Sequence, residues 1–324
     1  MQAVVRRVDH INVRVPDPRA LFSFLTETLE LPVAWPWRRF PGFASGGAAL
    51  GINLEPVAYA PGRRVRAPED GGLYAIAFEP EPIHTAAKEL ARRRIPHSAP
   101  LPYIGRYPDG ADTTVFHRRD PHSHRSHLWT LVGLGGFLGD TKLARDYSRL
   151  PLRGDSRVGR LLARLAGGLY GSDRFGDLVA ATTVSDRPFL FLCEYHGFNV
   201  AESRELAAQE LASRGGGPLG LRRVAEIVVE ARDVSAETSR WRRLLEPAPE
   251  IEPGRWQLAD GPSLCVVEGA HDHIAALVLE VESLDEASSW LHRKGWLAMA
   301  GGAVAIASVA VQGLDLRCAE PTSH

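Results

Sequence analysis

At 324 residues the chain is long enough for two ordinary domains. Its 38 Lys and Arg against 39 Asp and Glu leave a net charge of −1, with no basic excess for nucleic acid and no acidic tail. No apolar run approaches the ~20 residues of a membrane span. The absence of a signal-like opening and three scattered cysteines (Cys193, Cys265, Cys318) point to the cytoplasm.

The first organised stretch is Val8-Asp9-His10-Ile11-Asn12-Val13-Arg14-Val15. Its β-branched residues predict a strand, and Pro16 and Pro18 end it. His10, Asn12 and Arg14 alternate with Ile11, Val13 and Val15, so one face carries chemistry or, as an edge strand, meets water. Leu21, Phe22, Leu25 and Leu29 follow at helical spacing. The patch Trp35-Pro36-Trp37-Arg38-Arg39-Phe40 reads as a loop over the sheet. Trp35, Trp37 and Arg38 there could hold a planar acidic ligand or plug a core edge. Gly42 to Gly51 is rich in Gly and Ala, with Gly46-Gly47 read as a turn, and Ala48 to Val57 reads as a strand with Glu55 near its end.

A second strand, Leu73 to Glu79, leads into Pro80-Glu81-Pro82 and a helix from about Ile83 to Arg94. Matching Val15-Pro16-Asp17-Pro18 to Glu79-Pro80-Glu81-Pro82 sets Tyr74 opposite His10, an internal repeat of roughly 65 residues. Short strands are expected at Thr113–Phe116 and Leu128–Val132, the latter containing Trp129. His117, His122, His124 and His127 lie between or beside them; a solvated turn is favoured over a metal site because arginines intervene. Residues 133–187 read as an insertion with a basic amphipathic helix, Val158 to Leu169. The strand Pro188 to His196 is apolar enough to be buried, which makes a carboxylate at Glu194 costly unless paired or bound to a cation.

A polar helical connector ends in Gly215-Gly216-Gly217-Pro218, after which Leu221 to Val229 resembles the opening strand. A helix from about Ala236 to Leu245, strands at 255–258 and 263–267, a strand from Ile274, a helix from Leu284 to Lys294 and two closing strands complete the chain.

The strand with a central His, the Pro-Asp, the amphipathic helix and Leu31-Pro32-Val33 together resemble the vicinal oxygen chelate superfamily of glyoxalases, extradiol dioxygenases and bleomycin-resistance proteins. The resemblance implies an α+β fold of four βαβββ units paired into two modules. The expected boundaries are 1–200 (insertion about 133–187), a linker at 201–219, and 220–324. It also implies metal positions on the first and last strands of units sharing a cavity: His10, Glu55 and Glu194 as ligands of a divalent ion (Fe, Mn, Zn or Ni), with Tyr74 where a second His is usual. Glu194 and Tyr74 are then the expected catalytic groups, and Trp35, Trp37, Arg38 and Trp129 the expected ligand contacts. The second half offers Glu226, Ala276, Arg317 and Cys318 at such places and is read as structural or dimerising.

Two functions follow. One is a metal-dependent lyase, isomerase or oxygenase acting on a small oxygenated molecule. The other is a metal-free module that binds or sequesters a small planar molecule. A small-molecule partner and a homodimer are expected, with neither nucleic acid nor membrane.

Overall fold

In a computed structural model of the chain, the described residues are 2–40, 42–59, 71–105, 126–149, 153–170, 188–196, 199–259 and 261–321. Unit one comprises β1 (Val5–Arg14), α1 (Pro18–Ser23, continued by a wider turn over Phe24–Thr28), β2 (Val33–Phe40), β3 (Phe43–Leu50) and β4 (Ile52–Tyr59). Asp17 caps α1, accepting from Ala20 N at 2.9 Å, which is why the chain turns helical directly after Pro16. Unit two comprises β5 (Gly72–Pro80), α2 (Ile83–Arg92), β6 (Leu101–Gly105), β7 (Ser126–Leu134), α3 (Thr141–Tyr147), α4 (Arg157–Tyr170) and β8 (Phe189–Tyr195).

Helix α5 (Val200–Ser213) leads to unit three: β9 (Leu221–Ala231), α6 (Val234–Leu245), β10 (Glu250–Glu252), β11 (Arg255–Gln257) and β12 (Ser263–Glu268). Unit four is β13 (His273–Val281), α7 (Leu284–Lys294), β14 (Leu297–Ala300), β15 (Ala303–Ile306) and β16 (Leu316–Ala319). No helix among the described residues is long and apolar enough to cross a membrane.

Strand pairing gives the same order twice: β2-β3-β4-β1-β5-β8-β7-β6 and β10-β11-β12-β9-β13-β16-β15-β14. In each half the first strands of two units lie antiparallel at the centre, and each pairs in parallel with the last strand of its own unit. This is the expected α+β architecture of four βαβββ units in two modules. One hydrophobic core runs through both, because Phe78 of β5 meets Trp241 of α6 at 6.2 Å and Phe24 meets Trp296 at 5.3 Å.

Two local expectations are revised. The Trp35–Phe40 patch is a strand, β2, at the sheet edge, where Pro36 costs no ladder hydrogen bond. The glycine-rich run is also a strand, β3, and Gly51 (φ 76°) makes the turn into β4. A strand can hold Gly46 and Gly47 here because neighbouring rings fill the missing side chains' space. A Cβ at Gly46 would sit 2.7 Å from the Phe22 ring, and one at Gly47 2.5–2.6 Å from the Trp35 ring.

The strand expected at Thr113–Phe116 and the histidines at 117, 122 and 124 lie outside the described residues; His127 is described only as backbone of β7. The amphipathic helix of the insertion is present as α4, with Leu161 and Leu165 exposed.

Candidate functional site

The site is built on β1. Opposite β5 the register reads Val8↔Phe78, His10↔Ala77, Ile11↔Ile76, Asn12↔Ala75, Val13↔Leu73, so Asp9 on β1 and Tyr74 on β5 are each an extra, bulged residue. A bulge re-aims a side chain, and here it brings Asp9 to the same side as its neighbour. Asp9 Oδ2 lies 2.7 Å from His10 Nδ1. Regular alternation would have placed the two on opposite faces, so this contact carries no periodic signal in the sequence.

From His10 the polar contacts run both ways. Nε2 faces Glu55 Oε2 on β4 at 3.2 Å, and the Asn12 amide donates to that same oxygen at 2.6 Å. On the other side, Tyr195 OH donates to Asp9 Oδ2 at 2.8 Å, and Arg204 Nη2 of α5 donates to Asp9 Oδ1 at 2.7 Å. Arg204 Nη1 continues to Glu79 Oε2 at 2.6 Å. His10 itself is 5% exposed.

Burial opposes charging the imidazole. The hydrogen bond to Asp9 and the charges of Glu55 and Asp9 outweigh it, and the His10 pKa is raised. Burial likewise acts to raise the Asp9 pKa. The bond to His10, the charges of His10 and Arg204 and the Tyr195 hydroxyl overcome it, so Asp9 stays a carboxylate. For Glu55 burial prevails, although His10, Ser45 and Asn12 resist it, and its pKa is raised. Burial also pushes the Cys193 thiol and the Tyr195 hydroxyl well up, so both keep their protons.

Around this chain of charges the inner face of the first module is aromatic. Trp35 meets His10 edge-on at 6.4 Å, and Phe191 meets it at 5.5 Å. Trp129 stacks on Tyr103 at 4.1 Å and meets Phe40 edge-on at 5.8 Å. Tyr74 packs against Tyr59 and Phe189, with the Arg14 guanidinium 4.7 Å above its ring. Replacing Gly47 by alanine would drive a methyl into the Trp35 ring. We expect a loss of about 1–3 kcal/mol in urea unfolding, with a shift of tryptophan emission as Trp35 is displaced from beside His10.

The expected site residues are therefore divided. His10 and Glu55 meet. Trp35 lies beside them and Trp129 lines the same aromatic face. Trp37 does not join them: β2 is irregular between Trp35 and Arg38, and Trp37 packs against Phe22 of α1 at 6.1 Å. Arg38 lies over the Phe40 ring at 4.8 Å.

Glu194 stands on the opposite face of β8 from Phe191 and Tyr195, where its Oε1 accepts from Ile83 N at 3.0 Å at the start of α2. Its buried-strand carboxylate is answered by a helix N-terminus, as helix-end charges favour. His196 lies near it, 3.8 Å from Glu194 and 2.9 Å from Thr130 Oγ1. Asp9, Tyr195 and Arg204 were not singled out from the sequence. The signal available was one acidic residue beside His10, which by itself says nothing about which way it points.

The repeat shows which side chains of unit two correspond to His10 and Glu55. The bulges at Asp9 and Tyr74, and the central pair Ile11↔Ile76, relate the two units by 65 residues. His10 then corresponds to Ala75, one residue past Tyr74. Asn12↔Glu55 in the β1–β4 ladder corresponds to Ala77↔Phe191 in the β5–β8 ladder. The second module repeats the pattern with bulges at Ala225 and Ala275, giving Glu226, Cys265, Ala276 and Arg317 at the equivalent places. Glu226 there is paired with Arg255 at 3.0 Å.

The first module thus holds an imidazole and a carboxylate from unit one, faced by a methyl and a phenyl group from unit two. That donor set does not fit an ion held by both units. Both His10 nitrogens already face carboxylates, and no group of three or more His, Cys, Asp or Glu able to hold a metal occurs among the described residues.

Comparison with known proteins agrees with the architecture. Residues 7–127 match the model of the Glyoxalase/Bleomycin resistance protein/Dioxygenase superfamily. The 2,3-dioxygenase LapB from Pseudomonas sp. KL28 superposes with a TM-score of 0.53 at 9% identity, covering 100% of this chain and 95% of that one. The Mn(II)-bound glyoxalase from Novosphingobium aromaticivorans gives 0.51 at 11% identity, covering 98% and 83%. A mutant 4-hydroxymandelate synthase from Streptomyces coelicolor gives 0.50 at 12%, covering 92% and 78%. At these identities the likeness is one of fold. No curated protein matches the sequence. Residues 7–127 are thus similar to the glyoxalase/bleomycin resistance protein/dioxygenase superfamily, and the strand order of paired βαβββ units is repeated in the second module.

Proposed function

We propose that the N-terminal module binds a small, flat, largely apolar molecule against its aromatic inner face without a resident metal ion. The observation that carries this reading is the content of the corresponding places: His10 and Glu55 in unit one, Ala75 and Phe191 in unit two. His10, Asp9 and Glu55 use their polar atoms on one another, so the group acts as a fixed polar wall. Trp129, stacked on the buried Tyr103, together with the partly exposed Tyr59 and Phe189, supplies aromatic surface of the kind that holds planar rings. A metal-dependent enzyme would need at least one more donor beside His10 and Glu55, and among the described residues the second unit supplies none at these positions.

Elemental analysis of the purified chain tests the metal half of the proposal. Manganese, iron, zinc and nickel should each fall far below one equivalent, and His10→Ala should leave those values unchanged. One equivalent of any of them, lost in both His10→Ala and Glu55→Ala, would overturn it. Quinoline tests the binding half: it should quench tryptophan emission, and Trp129→Leu should weaken its binding about tenfold. Binding that ignores this substitution would place the ligand elsewhere.

A further inference from the structure

The charge of the chain is not spread evenly. Between Thr141 and Leu165 stand seven cations and two carboxylates, Asp146 and Asp155, while the rest of the sequence carries an acidic excess. Lys142, Arg149 and Arg153 are answered by those two carboxylates at 3.1, 3.7 and 2.6 Å. Arg157, Arg160 and Arg164 of α4 are exposed and have no carboxylate partner among the described residues. Arg160 Nη1 donates to the backbone oxygen of Asp155 at 2.9 Å.

Helix α4 has three sides with three compositions. It runs along β6 through the side that carries Gly159, which is buried, and Ala163, which is half-buried. Covering the last strand of the sheet accounts for that side. It does not account for Val158, Leu161, Leu162 and Leu165, which are spaced i, i+3, i+4 and i+7 and are 44–59% exposed. Arg157, Arg160 and Arg164, at i, i+3 and i+7, form a row along the border of this aliphatic stripe. An exposed aliphatic stripe bordered by unanswered cations marks a contact surface.

Charge and shape select what covers it. No acidic residue occurs on α4, so the same helix of a second copy answers none of its charge. A protein groove that takes up an amphipathic helix closes around several of its sides, and here β6 already occupies one. The stripe also lacks the Trp and Tyr anchors on which protein interfaces concentrate their binding. A flat anionic lipid surface suits both rows: aliphatic side chains enter the boundary between headgroups and acyl chains, and guanidinium groups meet phosphate oxygens. We propose that α4 docks the protein on an anionic membrane surface, with Val158, Leu161, Leu162 and Leu165 in that boundary and Arg157, Arg160 and Arg164 on lipid phosphates. The expectation of no membrane contact rested on the lack of a spanning run, and a helix lying in the interface crosses nothing.

Vesicles of phosphatidylcholine, alone or with an equal part of phosphatidylglycerol, test this by co-sedimentation with the full chain. Binding to the anionic vesicles should be tighter by about a hundredfold, since each of three arginines near such a surface contributes about fivefold. Added salt should weaken it. Arg160→Gln combined with Arg164→Gln should lower the affinity about thirtyfold. Leu161→Gln combined with Leu165→Gln should lower it by about tenfold or more. These side chains are exposed, so the circular dichroism spectrum of either double variant should match the wild type. Leu162→Trp should add emission that brominated acyl chains quench, a readout that stands even if a double variant does not fold. Equal binding to the two kinds of vesicle, binding that survives both folded double variants, or added emission indifferent to bromine would overturn the proposal. So would no binding to either vesicle, which would leave an acidic protein as the occupant.

Discussion

Arg93→Met should be among the most damaging single substitutions in the chain, costing about 3–5 kcal/mol in urea unfolding because it breaks a buried, multiply bonded cation's network. Arg93 follows the last turn of α2 and is nearly fully buried. Its Nη1 donates to the carbonyl oxygens of Arg243, Leu244 and Glu246 at 2.8, 3.2 and 2.8 Å, and Nη2 donates to Gln2 O at 2.5 Å. The last carbonyls of α6 have no partners within their own helix, and they form the negative end of its dipole. A guanidinium from the other module caps them, so one side chain joins the start of the chain, α2 and α6. Lysine is a point charge without the planar fork, and Arg93→Lys should recover less than half of the loss.

The same group gives the acid limb of stability a source. Glu89 accepts from Arg92 Nε at 2.7 Å and from Arg93 Nε at 2.9 Å. The bond from Arg92, and then that from Arg93, outweigh burial and hold the carboxyl down from 4.5 to about 2. A folded value below the unfolded one stabilises above the unfolded value. That contribution is complete above about pH 4.5 and disappears as pH falls towards about 2. Arg93→Met should flatten the dependence of unfolding free energy on pH in this window. An unchanged acid slope would show that Arg92 holds Glu89 alone.

Asp9→Asn is the second large effect. The carboxylate holds His10, Arg204 and Tyr195 together, and its loss leaves the imidazolium and the guanidinium short of a partner; about 3 kcal/mol or more should be lost between pH 3.8 and 6.5. The imidazole reports the cause directly. In the wild-type chain its pKa is raised against burial. In Asp9→Asn only Glu55 opposes the burial, so the His10 titration followed by NMR should move down.

The sign of the stability effect follows from the same shifts. A raised histidine stabilises fully below its unfolded value of 6.5, and the contribution is lost as pH climbs through the folded value. Asp9, with a lowered value, stabilises above 3.8 and loses this as pH falls through its folded value. The difference between wild type and Asp9→Asn should therefore be widest between those two limits. A wild-type His10 that titrates at its ordinary value would remove the basis for the network.

The two substitutions probe different levels of the molecule. Arg93 tests how the modules are joined, since its partners lie on α2, α6 and the residues before β1. Asp9 tests the interior of one module, and Arg204 ties that interior to the helix between the modules. A connector that contributes a buried cation to a site is part of the site.

The sequence by itself determined the first strand and the helix of each unit and their order. β-branched alternation around His10, the Pro-Asp at the start of α1, and the recurrence of the same pattern near Leu73, Leu221 and Ile274 were sufficient, because strand and helix periods are local properties of the chain. The glycine-rich β3 escaped that reading because its stability comes from rings brought by Phe22 and Trp35, contacts that propensity does not see.

Of the site, His10 and Glu55 were legible, each on a strand whose face could be counted. Glu194 was singled out for a sound reason, a carboxylate in an apolar strand, but its partner is the amide of Ile83, more than a hundred residues earlier in the chain. Which face a residue takes is fixed by register, and one bulged residue shifts it by one. The bulges at Asp9 and Tyr74 therefore decided what sequence spacing could not: that Asp9 supports His10, and that Ala75 and Phe191 stand where a second pair of ligands was expected.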